Sequence, residues 1–220
     1  MIELLREAPM FSHLTDYQLQ NIAAECSLST FPAGTILFRE NDMGTVFYIV
    51  ASGAIKVFTS NLDGENKILS IFTRGDSFGE LALLDGQPRS ATAQVIEETT
   101  LLTLSGKNFN RLLRENIDIA FTIIKQLSTR LRTMNQHVHD LTYLGAKKRV
   151  MKALIQLASR HGSRSYKTIR IGVSLNYDEL AQLAGVTKPL LFQVFQELQG
   201  KQILIFSENE FSIDLAKLKN

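Results

Sequence analysis

Residues 78–93 read FGELALLDGQPRSATA, and the placing of charge in this stretch governs the reading of the whole chain. One carboxylate, Glu80, follows a glycine, and one guanidinium, Arg89, follows a proline nine residues later. Gly79 to Leu83 suit a short helical turn at a strand end, whose first N–H groups lack intrachain partners and so favour an anion. Arg89 adds a planar fork of donors matched to phosphate oxygens, and Ser90 adds a hydroxyl. Ionised Glu80 can only accept hydrogen bonds, so it requires a donor such as a sugar hydroxyl. Together the two ends fit a sugar phosphate. The competing reading, from the two residues alone, is a surface ion pair worth about 0–1 kcal/mol.

The flanking sequence supplies a scaffold. Residues 1–28 carry apolar spacing that suits short helices (Leu4, Leu5, Met10, Phe11, Leu14, Leu19, Ile22). From about 30 to 105 come the short β-rich runs TILFRE, TVFYIV, AIKVFTS, KILSIF, SATAQVI and TLLTLS, separated by glycine, asparagine and aspartate turns. Such spacing predicts an antiparallel barrel or jelly-roll sandwich, with NLDGEN as a hairpin turn. Residues 108–144 then become helical. Ile117, Ala120, Ile124, Leu127, Leu131, Met134, Val138 and Leu141 alternate gaps of three and four, the seam of a coiled coil. Packing of that stripe on its own domain is the alternative. Gly145 is expected to end or hinge this helix.

Beyond it, AKKRVMKALIQLASRHG reads as an amphipathic helix, SRSYKTIRIGVSL as loop plus strand, and ILIFSENEFSID as a hairpin. NYDELAQLAGV and TKPLLFQVFQELQG are two short helices around a Gly185-Val186 turn. Asn176 and Glu179 have the spacing of a capping box. Thr187 is placed to cap the second helix, with Pro189 in its first turn. Two such helices flanked by small β-elements make a winged helix-turn-helix.

Composition is that of a globular protein, with 45% hydrophobic and 21% charged residues. No apolar run reaches the ~20 residues of a membrane span, and no secretory signal is evident at the start, so a cytoplasmic protein is expected. A single cysteine, Cys26, excludes a disulfide framework and a cysteine-ligated cluster, and it reads as a small buried hydrophobe. His13, His137, His139 and His161 have no zinc spacing, and no nucleophile–base pair stands out, so neither a metal site nor an enzyme is expected. The net charge of +2 is uneven. Residues 146–220 carry 12 Lys and Arg against 6 Asp and Glu, while the preceding 145 carry 12 against 16. The basic third points to a polyanion.

The 78–93 string resembles the phosphate-binding cassette of cyclic-nucleotide-binding domains. With the order of β-roll, long helix and winged helix-turn-helix, the chain is identified as a member of the CRP/FNR family of transcription regulators over essentially its full length. FPAGTILFREND and the glycine of ASGAIKVF also sit where family members place such segments. The resemblance implies an α+β fold: a β-roll effector domain over 1–116, a dimerisation helix and hinge over 117–145, and a DNA-binding domain over 146–220. Within the cassette, bounded by Phe78 and Ala91, it implies that Gly79 and Glu80 meet the ribose 2′-hydroxyl. Leu81 and Ala82 would then offer backbone donors to the phosphate, Arg89 pair it, and Ser90 bond phosphate or base.

Met134 and Asn135 fall at the positions that face the base in family cAMP receptors. A cyclic nucleotide, cAMP ahead of cGMP, is the implied effector, with a non-cyclic-nucleotide effector or none as the alternative. Implied partners are DNA, a second copy of the chain through residues 117–144, and RNA polymerase. The DNA-facing candidates are Asn176, Tyr177, Thr187, Lys188, Gln193 and Lys201. Family members usually open the recognition helix with serine-arginine-glutamate and place another arginine one turn on. Here Thr187-Lys188-Pro189-Leu190-Leu191-Phe192-Gln193 stands instead, and a protein-interaction module whose DNA-binding helix has lapsed is the rival reading.

Overall fold

A computed structural model describes residues 1–165, 168–171, 175–207, 210–214 and 217. By their contacts these divide into two compact units, one of residues 1–64 and 69–134, the other of 65–68 and 135–220.

The first unit opens with α1 (Ile2–Glu7) and α2 (Asp16–Glu25). Thr15 and Gln18 close a capping box at the start of α2, each satisfying a backbone N–H of the other. The strands are β1 (Cys26–Phe31), β2 (Ile36–Phe38), β3 (Val46–Ser52), β4 (Ala54–Ser60), β5 (Asn66–Thr73), β6 (Ser77–Phe78), β7 (Thr92–Val95) and β8 (Thr99–Ser105), with α3 (Leu81–Asp85) between β6 and β7. They form two four-stranded sheets in the orders β1-β8-β3-β6 and β2-β7-β4-β5. This is the expected jelly roll. NLDGEN turns between β4 and β5 as anticipated, with Gly64 at a φ of 79°. The Asn61 side chain accepts from the Asp63 N–H at 3.0 Å.

Within this unit two strands escaped the sequence reading. In β1 (CSLSTF) the four central residues are exposed on both faces, so this edge strand carries no inward–outward alternation of apolar residues. The two-residue β6 is too short to register a period, yet it aligns with β3 by pairing Phe78 with Tyr48.

Two apolar clusters hold this unit. One fills the roll: Val50, Ile55, Phe72, Phe78, Ala93, Val95 and Leu101. The other seats the N-terminal helices and the helices after β8 on the outer face of the β1-β8-β3 sheet, around Phe47, Phe109 and Leu104. Cys26 packs against this second cluster. Burial pushes its thiol up to about 12, which leaves it protonated and inert at neutral pH.

After β8 come α4 (Gly106–Glu115) and α5 (Ile117–Tyr143). The helical stretch is broken at Asn116, whose extended backbone separates the two. At about 1.5 Å per residue, the 27 residues of α5 span roughly 40 Å. It presents two apolar faces. Ile119 and Ile123 are buried, and Leu127 packs beside them on the outer cluster. Ile117, Phe121, Ile124 and Leu131 are each more than half exposed, and Met134, Val138 and Leu141 continue their stripe. The register therefore differs from the expected one at two places. Leu127 turns to its own domain, half-buried Ala120 contributes little, and Phe121 joins the exposed stripe. The i, i+4, i+8 face of Ile119, Ile123 and Leu127 packs inward, which carries position 127 with it.

In the second unit, α6 (Ala146–His161) leads to β9 (Gly162–Ser165) and β10 (Thr168–Ile171), then α7 (Tyr177–Ala184), α8 (Lys188–Gly200), β11 (Leu204–Ser207) and β12 (Glu210–Asp214). The strands form a sheet in the order β11-β12-β10-β9. Part of the predicted 163–175 loop and strand, and the tip of the last hairpin, lie outside the described residues. Helix α6 packs on α7 and α8, and Val150, Leu154 and Leu157 on α6, Leu180 and Ala184 on α7, and Leu191 and Phe195 on α8 are buried. The break before α6 falls at Leu144–Gly145. Gly145 is the N-cap of α6 in an extended conformation (φ −64°, ψ 157°) open to any residue. Among the described residues, no helix is long and apolar enough to cross a membrane.

Candidate functional site

In the first unit, the cassette closes one end of the roll's interior. Phe38, Val57, Phe72, Phe78, Gly79, Glu80, Leu81, Ala82, Arg89, Ser90, Ala91 and Arg130 surround a cavity of about 80 Å³. The floor is aromatic: Phe78 stacks on Tyr48 at 5.0 Å and on Phe72 at 5.4 Å between ring centroids. Two charged side chains are sunk into this setting, Glu80 at 3% exposed and Arg89 at 5%.

Local backbone explains how Arg89 is aimed. The loop after β2 runs Arg39-Glu40-Asn41-Asp42, and the Asp42 carboxylate accepts from the Arg39 N–H at 2.7 Å. That loop clamps residue 89 from both sides of its peptide. The Arg89 N–H donates to Asp42 O at 2.8 Å, and Arg89 O accepts from the Asn41 N–H at 2.9 Å. The guanidinium then lies 4.1 Å from the Phe38 ring centroid. It donates to Gly79 O and Val46 O, each at 2.6 Å. Burial lowers its pKa from the ordinary value, while Tyr48, Glu80 and Asp42 pull it back up. It stays cationic at any physiological pH.

Gly79 makes this approach possible. Its φ of +85° belongs to the left-handed region, and a Cβ there would stand 2.8 Å from Arg89 Nη1 and 3.2 Å from Val46 O. Any other residue would meet both the backbone penalty and the guanidinium.

Glu80 is the N-cap residue of α3. Its Oε1 accepts from Arg130 Nη1 at 2.6 Å, and Arg130 also donates to Ser77 O and stacks at 4.9 Å on Phe72. Arg130 was not among the expected site residues. It sits in a helix with several cations, and its partner lies 50 residues away, so one sequence carries no signal for it.

Two buried polar atoms of residues that line the cavity have no hydrogen-bond partner, Glu80 Oε2 and Arg89 Nε. One is an acceptor and the other a donor. A buried polar atom left unpaired costs about 1–3 kcal/mol, which a ligand presenting a hydroxyl and an anionic oxygen would recover. Ser90 is exposed at the rim beside them. Met134 and Asn135, expected at the base end, are exposed and absent from the lining, which stops one turn earlier at Arg130.

Replacing Arg130 with glutamine strips the cation from Glu80. Its side chain is 37% exposed, so solvent screens the pair. The expected loss is about 1–2 kcal/mol, read as a lower urea midpoint. An unchanged midpoint would mean that the pair contributes nothing to the fold.

In the second unit the structure brings α7 and α8 together around Gly185. This residue is left-handed (φ 64°) and its N–H bonds back to Ala181 O and Gln182 O, the glycine stop that turns the chain into the next helix. The capping box between Asn176 and Glu179 forms as expected, at 2.9 and 3.0 Å. Thr187 differs from expectation. It holds the N-cap position of α8 but makes no side-chain cap bond. With Pro189 at the second helical position, one of the two N–H groups that a cap oxygen can reach is missing.

On α8, Leu191, Val194, Phe195 and Leu198 are buried, and Lys188, Pro189, Phe192, Gln193, Gln196 and Gln199 face outward. Phe192 packs 4.8 Å from the Tyr177 ring. Lys188 donates to Asp178 Oδ2 at 2.8 Å, and Lys201 lies 3.1 Å from Glu197. Among the described residues no His, Cys, Asp and Glu cluster could hold a metal ion.

The acidic acceptor and the buried guanidinium at one end of this aromatic-floored jelly roll lie within residues 28–116, which match the family model of the cyclic nucleotide-binding domain. The chain belongs to the CRP/FNR family of transcription regulators, proteins that regulate and are not enzymes. It is 30% identical over 200 residues to the cyclic AMP receptor protein of Thermus thermophilus, covering 91% of this chain and 89% of that one. It is 28% identical over 213 residues to a CRP-like cAMP-activated global transcriptional regulator of Mycobacterium tuberculosis, covering 93% and 95%. The c-di-GMP responsive global regulator CLP of Xanthomonas campestris shares the fold, with a TM-score of 0.77 at 20% identity over 91% of this chain and 99% of that one.

Proposed function

We propose that the chain is a cytoplasmic homodimeric regulator that binds cAMP in preference to cGMP in its β-roll and a pseudo-palindromic DNA site with its C-terminal helices. One observation carries the effector reading: the orphaned Glu80 Oε2 and Arg89 Nε belong to two residues that line one cavity. Glu80 accepts from the ribose 2′-hydroxyl, and the free N–H groups of Arg89, with the backbone of Leu81 and Ala82 and the Ser90 hydroxyl, hold the cyclic phosphate. Phe78 and Ala91 supply the apolar wall. Both cAMP relatives described above support this choice of nucleotide. Met134 and Asn135 stand on the exposed side of α5, so any contact they make to the base belongs to the dimer.

The ligand acts on DNA binding through differential affinity for two arrangements of the helix break at Leu144–Gly145. Two-fold symmetry places the half-sites about 34 Å apart, one turn of DNA. Twelve cations against six acids in residues 146–220 supply the sequence-independent attraction to phosphate.

Thermal unfolding with each nucleotide tests the effector. At about 100 Kd, cAMP is expected to add roughly 2.7 kcal/mol, and cGMP less at the same concentration. Stabilisation by neither would remove the cyclic nucleotide, leaving a regulator with another effector or none.

A further inference from the structure

We propose that α8 reads adenine–thymine steps rather than guanine, with Phe192 on a thymine methyl and Gln193 on an adenine edge. This rests on the DNA-binding reading above and concerns what the site recognises.

The outward face of α8 differs in chemistry from what guanine requires. Guanine shows two acceptors, N7 and O6, in the major groove, and a bidentate cation is its usual partner. Helix α8 contains no arginine. Its single lysine, Lys188, is held by Asp178 at 2.8 Å. That pair is exposed on both sides, so it is worth little and exchanges readily for a backbone phosphate, a contact that positions without specifying.

What remains on the exposed face is amide and apolar. Gln193, with Gln196 on the next turn, presents a carbonyl acceptor and an N–H donor side by side. Adenine offers the complement, an N7 acceptor beside an N6 donor. Against guanine, the same carbonyl would face O6, acceptor to acceptor.

Phe192 completes the pattern. It is 40% exposed on the first turn and a half of the helix, the portion that meets base edges in helix-turn-helix proteins. Its ring is held in place rather than free to fold back: Tyr177, at the start of α7, packs at 4.8 Å and an interplanar angle of 44°. Pro189 is exposed one turn before Gln193. A fixed aromatic edge beside an amide fits a thymine methyl beside an adenine.

The test is selection from randomised duplexes by the full-length chain, with and without saturating cAMP, followed by fluorescence anisotropy on the selected site. Half-sites lacking a required guanine at the α8 steps are expected. Changing the adenine read by Gln193 to guanine should weaken binding about tenfold. Uracil in place of the contacted thymine removes only the methyl and should cost about threefold to fourfold per half-site. That cost should vanish in Phe192→Ala. The uracil measurement alters the DNA alone, so it stands even if the variant folds poorly. A selected half-site with an invariant guanine, or uracil bound as tightly as thymine, overturns the proposal while leaving DNA binding intact. Absence of any salt-dependent DNA affinity overturns both, and leaves the Phe192 face to a protein partner.

Discussion

Arg89→Leu is expected to abolish most of the stabilisation that cAMP confers. The side chain is 5% exposed and lines the effector cavity with an unpaired Nε. Charge-assisted hydrogen bonds are worth about 1.5–3 kcal/mol each, so loss of the fork should weaken the nucleotide by roughly 100-fold. At a concentration of about 100 Kd for the parent protein, the variant would be only half saturated. Its stabilisation should fall from roughly 2.7 to about 0.4 kcal/mol. The ligand-free variant should also lose about 1–3 kcal/mol, because the Gly79 and Val46 carbonyls forfeit their donors. These two effects separate in a thermal shift series, where baseline and ligand increment are read independently. Arg89→Lys should fall between, since it keeps the charge but not the planar fork. An increment that survives Arg89→Leu would assign the phosphate elsewhere.

The double substitution Ile124→Asp, Leu131→Asp is expected to yield a folded monomer. Both side chains are more than half exposed on α5 and belong to neither apolar cluster of the first unit. Their loss should leave the roll's unfolding midpoint near that of the parent. Burying an aliphatic side chain fully contributes about 1.5–3 kcal/mol. With just over half of each side chain still exposed, and two positions on each of two helices, about 3–7 kcal/mol of association is removed, before the cost of desolvating four carboxylates. Sedimentation equilibrium should therefore move from twice the chain mass of 24.7 kDa to that mass itself. A variant that still sediments as a dimer would place the interface off this stripe. DNA affinity should fall with the loss of dimerisation, because each separate chain then holds one half-site.

Much of the architecture was legible because its signals are local. The six β-rich runs are short and bounded by glycine, asparagine and aspartate turns, NLDGEN has the residues that a tight turn demands, and Asn176 and Glu179 stand three apart as a capping box requires. Where the local signal failed, a physical cause is visible. Strand β1 is an edge exposed on both faces, β6 is two residues long, and Thr187 has a proline where a capped N–H would be. Leu127 illustrates a subtler limit. Heptad spacing assigns it to the outer seam, but a helix that packs on its own domain and also presents a free stripe must share positions between two faces. Only the packing of Ile119 and Ile123 shows which face takes Leu127.

The effector site divides the same way. By itself, the stretch at 78–93 showed an acid and an arginine suited to the two ends of a sugar phosphate, since charge type, donor geometry and a glycine turn are all properties of adjacent residues. Its resemblance to a phosphate-binding cassette, with the order of roll, long helix and paired short helices along the rest of the chain, pointed to the family. The tertiary structure alone decided that Arg130, fifty residues away, is the partner of Glu80, and that Met134 and Asn135 lie outside the cavity. It also decided that Arg89 is braced by the carbonyls of Gly79 and Val46 with its Nε left over. Those facts depend on which groups are buried together, and burial is set by the meeting of distant segments. A single chain read in order carries the chemistry of each group, and only the folded one shows which polar atoms remain unsatisfied.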